Sequence, residues 1–179
     1  GVLVQHNTRS NSQKFLLGHV GEVTCMAMGR REETTLLATA EKGLHACIRV
    51  WNVEEGSLQA CLRGFEEEIV ALSFLQREYV VSVSADEFHS VAVWDLGRSC
   101  LLYKCAGDIN RLVDLTCYET ETPSGQSFVT VGVDTVRFWR LSISRSSCSL
   151  SSRKGLFGSR GGKQVLLCVD NFPLEEEEG

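Results

Sequence analysis

The sequence predicts an all-β chain built as a β-propeller, with about three complete four-stranded blades and partial blades at both ends. Trp51, Trp94 and Trp139 are separated by 43 and 45 residues, which is the period of one blade. Each sits in an alternating apolar run: Cys47-Ile48-Arg49-Val50-Trp51, Val91-Ala92-Val93-Trp94 and Thr135-Val136-Arg137-Phe138-Trp139. Upstream of each tryptophan, two more runs rich in Val, Ile, Leu, Phe and Thr recur in the same order. They contain no proline and are bounded by Gly, Asp, Glu or Pro, which favours strand over helix.

Taken in order, residues 1–16 hold two short runs, Val2-Leu3-Val4 and Lys14-Phe15-Leu16, that read as the last strands of a preceding blade. Residues 17–62 form the first whole blade, with strands near 23–28, 36–40, 47–53 and 57–62. The second blade spans 63–105, with strands near 69–74, 79–84, 91–96 and 101–104. The third spans 106–157, with strands near 112–117, 128–131 and 135–141. After these comes a stretch from Ser142 to Ser152 with seven serines in eleven residues, read as a flexible insertion open to phosphorylation. Residues 158–179 supply the first strand of a following blade, near 165–169, and an acidic tail, Glu175 to Glu178. This strand count reads as a fragment of a larger propeller.

Composition narrows the function classes. With 43% hydrophobic and 23% charged residues, the chain can bury a core and is too apolar for a disordered tail. No apolar run approaches the ~20 residues of a membrane span, and residues 1–12 lack a signal-peptide pattern, so a soluble cytoplasmic protein is expected. The eight cysteines lie mostly in strand-like apolar runs, where a free thiol acts as a small hydrophobe, and this points to a reducing compartment. There is no Cys-x-x-Cys, and His6, His19, His45 and His89 are scattered, so no metal site and no cofactor is expected. Residues 158–164 only imitate a phosphate loop: the spacing is one residue short, and Gln164 cannot supply the Mg²⁺-binding hydroxyl. The reading is non-enzymatic.

Charge is unevenly spread. Between Asp134 and Asp170 there is no acidic residue, while Arg137, Arg140, Arg145, Arg153, Lys154, Arg160 and Lys163 supply seven positive charges on a chain of net charge −5. A basic segment on an acidic protein steers an acidic partner toward itself, and these seven residues are the candidate contact. RNA fits poorly, because Phe138, Trp139 and Phe157 read as blade core rather than stacking platforms.

The Gly18-His19 pair 32 residues before Trp51, the literal Trp94-Asp95 dipeptide and the blade period resemble the WD-repeat family. The resemblance implies a buried network in each blade of a His, a strand Ser or Thr, a turn Asp and the Trp. His19, Thr39 and Trp51 match it in the first blade, without a turn aspartate; Ser84, Asp86 and Trp94 in the second, without the histidine. In the third, Asp134 and Trp139 match, with Ala106-Gly107-Asp108 in place of Gly-His. The Phe138-Trp139 strand, the basic Arg153-Lys154-Gly155-Leu156-Phe157-Gly158 element and Gln164-Val165-Leu166-Leu167-Cys168-Val169 resemble the echinoderm microtubule-associated protein-like family more narrowly. Related ciliary and centriolar WD-repeat proteins share the same element. These resemblances imply a scaffold at the cytoskeleton, cilium or centriole, with tubulin as the acidic partner. The alternative is a general protein-interaction propeller, such as a ubiquitin-ligase adaptor or signalling scaffold.

Overall fold

The computed structural model describes residues 1–43, 47–64, 67–118, 126–144, 147–160 and 163–168, with side chains through Leu156. His45, Phe65, Arg145 and the acidic tail lie outside the described residues, as do the side chains of Phe157, Arg160 and Lys163. Every regular element among the described residues is a strand.

The first hairpin pairs β1 (Leu3–Asn7) with β2 (Ser12–Leu16). Three four-stranded antiparallel sheets follow. Blade 1 is β3 (Val23–Arg31), β4 (Thr34–Glu41), β5 (Cys47–Asn52) and β6 (Ser57–Arg63). Blade 2 is β7 (Ile69–Leu75), β8 (Tyr79–Ser84), β9 (Val91–Asp95) and β10 (Cys100–Cys105). Blade 3 is β11 (Leu112–Tyr118), β12 (Gln126–Gly132), β13 (Thr135–Ile143) and β14 (Cys148–Lys154). A last antiparallel pair joins β15 (Leu156–Arg160) to β16 (Lys163–Cys168). In all three blades the register shifts near the start of the inner strand, at Val23/Cys25, Ile69/Ala71 and Leu112/Asp114. Such a bulge adds local twist and re-aims the strand.

The described part of the serine-rich stretch is mostly strand rather than a flexible insertion, with Ser142 and Ile143 ending β13 and Cys148 to Ser152 in β14. Ser142 pairs with Ser149, Arg140 with Ser151 and Trp139 with Ser152, so the segment completes blade 3. Alternation explains it: Cys148 and Leu150 turn toward the core while Ser149 and Ser151 face solvent. Serine content hid a period-2 pattern that needs only two inward apolar residues. Gly155 N–H donates to the Val136 carbonyl at 2.8 Å as the chain leaves blade 3, and Leu156 then enters β15.

Two slabs of apolar side chains fill the spaces between blades. Ile48, Val50 and Leu62 of blade 1 meet Ile69, Leu72, Val80 and Trp94 of blade 2. Val81, Val83 and Val93 on the other face of blade 2 meet Leu115, Phe128, Trp139 and Leu141 of blade 3. Blade 2 is therefore covered on both faces, and all six residues of β8 are buried, so that strand has no solvent-facing side and its two serines are hydrogen-bonded inside the blade. Inner strands approach closely: a Cβ at Gly29 would lie 2.3 Å from the Phe74 ring. The Thr24 hydroxyl also donates to the Ile69 carbonyl at 2.6 Å, tying blade 1 to blade 2.

Candidate functional site

Each blade buries one polar cluster beside its tryptophan. The indole N–H of Trp51 donates to Thr39 Oγ1 at 2.8 Å, that of Trp94 to Ser82 Oγ at 2.8 Å and that of Trp139 to Thr130 Oγ1 at 2.9 Å. In blade 2 the indole thus meets Ser82, and Ser84 serves Asp86 instead. The glycines ahead of these clusters are held by close packing and backbone angle together. Gly18 (φ 152°) leaves 3.0 Å between an added Cβ and Arg49 Nε, and Gly64 (φ 141°) leaves 3.3 Å to Trp94. Side chains rarely adopt either conformation.

Each blade also holds a hydrogen-bonded carboxylate, drawn from a different place in the chain and buried in blades 1 and 3, half-buried in blade 2. In blade 1 it is Glu41, at the end of β4. Glu41 Oε2 accepts from the N–H of Val20 and Gly21 at 2.8 and 2.9 Å; Oε1 accepts from the Cys47 thiol at 2.8 Å and Arg49 Nη1 at 3.1 Å. In blade 2 it is Asp86, which accepts from the Ser84 hydroxyl at 2.7 Å and the Ser90 N–H at 2.8 Å. In blade 3 it is Asp108, in the loop before β11, accepting from Asn110 N–H at 2.9 Å, the Thr135 hydroxyl at 2.9 Å and Arg137 Nε at 2.7 Å. Asp134, at the turn between β12 and β13, is exposed with φ 53°, so the acid of blade 3 is Asp108. The three-residue-shorter connection between Thr130 and Trp139 leaves a tight hairpin there, and a carboxylate at its tip points away from the core.

A common rule emerges from these contacts. The residue four before each tryptophan, Cys47, Ser90 or Thr135, donates to the blade's carboxylate. The residue two before it is Arg49 or Arg137 in the blades whose acid carries an ion pair, at 3.1 and 2.7 Å, and alanine in blade 2. Blades 2 and 3 are further joined where His89 Nδ1–H donates to the Asp108 carbonyl at 3.1 Å.

Electrostatics follow from the partners. Burial alone would raise the Glu41 pKa, but the donors from Cys47, Gly21 and Val20, with the histidine nearby, outweigh it and bring the value to about 2. Asp86 and Asp108 are held below the ordinary carboxylate range by the same competition, burial opposed by hydrogen bonds. Burial pushes His19 below its usual value, so its ring is neutral at pH 7. We assign the proton to Nε2 from the network: Nε2–H donates to Thr39 Oγ1 at 2.7 Å, Thr39 O–H donates to the Arg49 carbonyl at 3.3 Å, and Nδ1 accepts from Arg49 Nη1 at 3.3 Å. Burial raises the thiols of Cys25 to about 11 and of Cys47 and Cys117 to about 12, and also lifts Cys105 and Cys148, so these cysteines stay protonated.

The basic residues singled out in the sequence do not share one surface. Arg137 and Lys154 pair across β13 and β14 and both converge on Asp108, at 2.7 and 3.6 Å. Arg137 is thereby part of the blade's buried polar cluster. Phe138, Arg140 and Arg153 lie on the opposite face by strand alternation. A groove of about 490 Å³ opens at the turn ends of the inner strands, lined by Met28, Arg30, Phe74, Arg77, Cys117 and Tyr118 among others. Sequence reasoning missed Glu41, Ser82, Asp108 and Thr130 as cluster members; for Glu41 and Asp108 the signal is the hydrogen-bonding residue four before the tryptophan, and for Ser82 the twelve-residue spacing to the tryptophan that Thr39 also has.

Four-stranded blades arrayed by their inner strands, each with a tryptophan hydrogen-bonded to a Ser or Thr of the second strand, define a WD-repeat β-propeller scaffold. The chain is a WD-repeat protein similar to the echinoderm microtubule-associated protein-like family. It is 30% identical to human cilia- and flagella-associated protein 52 over 79% of its length and 28% identical to WD repeat-containing protein 90 of Xenopus tropicalis over 78%. It is 25% identical to mouse echinoderm microtubule-associated protein-like 2 over 94%. It spans only 23%, 8% and 26% of those relatives, respectively. No protein-family model matches the chain. Among solved structures, U3-55K superimposes with TM-score 0.64 at 21% identity, covering 83% of this chain and 45% of that one. The RRP9 WD40 repeats give 0.63 at 22% identity, covering 83% and 44%; both likenesses concern the fold.

Proposed function

We propose that this WD-repeat segment is a non-enzymatic scaffold of microtubule-based structures, in the cytoskeleton or cilium, and that an acidic protein surface such as the tubulin tails is its partner. The observation that carries the reading is the acid-free basic stretch from Arg137 to Lys163 on a chain similar to cilia-associated and microtubule-associated proteins. The contact residues are Arg140, Arg145, Arg153, Arg160 and Lys163, with Lys154 contributing from the rim of the Asp108 cluster. Arg137 is excluded from the contact, because its guanidinium is spent on Asp108.

The test is co-sedimentation with stabilised microtubules, using intact tubulin and tubulin stripped of its acidic tails, at low and raised salt. Pelleting that falls with tail removal and with salt is expected, because exposed charges are screened over ~8–10 Å near physiological ionic strength. The double variant Arg140→Glu, Arg153→Glu should release the protein into the supernatant. Failure of the unmodified protein to pellet at any ionic strength would overturn the microtubule reading in favour of a general interaction propeller.

A further inference from the structure

Blade 1 differs from its neighbours in the chemistry of its buried cluster. His19, Glu41 and Cys47 present one nitrogen, one oxygen and one sulfur within 4.8 Å of one another, all buried. These residue types are the ligands of zinc, and three protein ligands with an open fourth position are a common zinc arrangement. The supporting contacts match too. His19 uses Nε2 on Thr39 at 2.7 Å, and Thr39 is fixed in turn by Trp51, which leaves Nδ1 facing the cluster. Glu41 uses Oε2 on two backbone N–H groups, which leaves Oε1 facing the cluster. Outer partners of this kind orient metal ligands and fix the histidine tautomer.

The centre of the cluster is filled by the protein itself. Arg49 Nη1 lies 2.7 Å from Cys47 Sγ, 3.1 Å from Glu41 Oε1 and 3.3 Å from His19 Nδ1. One guanidinium nitrogen therefore touches all three donor atoms. Blade 3 has the same arginine position in Arg137, but Asp108 and Thr135 stand where blade 1 has carboxylate, imidazole and thiol. The donor set is confined to blade 1 among the described residues.

We propose that His19, Glu41 and Cys47 form a cation site whose resident cation is the Arg49 guanidinium, and that without this guanidinium the site takes a thiophilic divalent metal such as Zn²⁺. Charge balances in both states. With arginine, one carboxylate faces one guanidinium and the thiol keeps its proton. With metal, a divalent ion faces the Glu41 carboxylate and a Cys47 thiolate, and one proton leaves to solvent. The three donor atoms already surround the place of Arg49 Nη1, at 2.7 Å for Sγ, 3.1 Å for Oε1 and 3.3 Å for Nδ1, so a metal there needs each of them to close by roughly 1 Å or less toward bonds of ~2.0–2.3 Å, with Sγ and Oε1 parting from their present 2.8 Å. Hard cations such as Mg²⁺, which take oxygen ligands, are excluded by the sulfur and nitrogen donors.

The test uses the full chain, unmodified and as Arg49→Ala and Arg49→Met, titrated with Co²⁺ as a spectroscopic probe and then with Zn²⁺ in competition. Both variants should bind one Co²⁺ with a thiolate-to-cobalt charge-transfer band, release a proton, and bind at least about tenfold more tightly than the unmodified chain. Adding Cys47→Ser to either variant should abolish the band, and Mg²⁺ should not compete. If a variant loses structure, metal should restore its circular dichroism spectrum, as for other sites whose metal binding drives folding. Folded variants that give no band, or unfolded ones that metal does not restore, would overturn the proposal. So would an unmodified chain that binds as tightly as the variants, since the guanidinium would then not be holding the metal's place.

Discussion

Asp108 offers the sharpest test of how blade 3 is held. Its side chain is 1% exposed and accepts from Asn110 N–H, the Thr135 hydroxyl and Arg137 Nε, with Lys154 at 3.6 Å. Replacing it with alanine removes the carboxylate and strands a buried hydroxyl and a guanidinium. A hydrogen bond to a charged group contributes ~1.5–3 kcal/mol, and breaking a buried pair costs ~3–5 kcal/mol. Arg137 is 26% exposed and can turn part of its charge to water, which lowers the expectation to about 2–4 kcal/mol for Asp108→Ala. Asp108→Asn keeps the shape and should cost about 1–3 kcal/mol. The assay is urea unfolding of both variants, of Arg137→Met and of the double variants, with a coupling energy of about 1 kcal/mol or more expected between Asp108 and Arg137. The sign with pH follows from the depressed pKa. The stabilisation is fully present above the ordinary aspartate value of ~3.9 and disappears as pH falls toward the lower folded value. The gap between Asp108→Asn and the unmodified chain should therefore be flat from pH 7 to 5 and close only in stronger acid. A variant within about 0.5 kcal/mol of the unmodified chain at pH 7, with additive double variants, would refute the assignment of Asp108 as the anchor of this blade.

Three other outcomes are expected. Glu41→Gln should lose stability on the order of 3 kcal/mol at pH 7, the linkage equivalent of lowering the pKa from 4.5 to about 2, and the loss should vanish as pH falls from ~4.5 toward 2; acid titration followed by tryptophan fluorescence checks it. Gly29→Val should destabilise the contact between blades 1 and 2 by about 1–3 kcal/mol through overlap with the Phe74 ring, and Phe74→Ala in the same chain should recover part of the loss in thermal unfolding. Of the seven cysteines with described side chains, the exposed Cys100 should react first with a thiol reagent at pH 8, while Cys47 and Cys117 should wait for unfolding; mass spectrometry of the labelled peptides distinguishes these.

Much of the fold was legible because a period near 44 residues and runs of alternating or continuous apolar residues are linear properties of a chain. Trp51, Trp94 and Trp139 mark β5, β9 and β13, and the strands predicted upstream of each are present within a few residues. The polar clusters were only half legible. Thr39 and Ser82 occupy the same place relative to their tryptophans, but Ser82 and Ser84 share a face of β8, and sequence cannot say which of them meets the indole. Glu41 and Asp108 serve carboxylate roles that the turn aspartate fills only in blade 2, because an acid reaching one point in space can start from a strand end, a turn or a preceding loop. The basic stretch was legible as a run of charge but not as a surface. Charges adjacent along a strand alternate between its faces, so among the described side chains Arg137 and Lys154 turn to Asp108 while Arg140 and Arg153 lie on the other face.

That variable origin of the buried acid bears on how such chains are recognised at all. A pattern search that demands an aspartate at a fixed offset in the turn would accept blade 2 and reject blades 1 and 3, although all three are built alike. What stays fixed is a location: a set of donors that includes the residue four before the tryptophan. A search keyed to that location, asking for Cys, Ser or Thr four residues before the tryptophan and then for any carboxylate able to reach it, would find blades that drift out of register with their own motif. By that criterion the divergent repeats are variants of one design, differing in which stretch of chain supplies the negative charge.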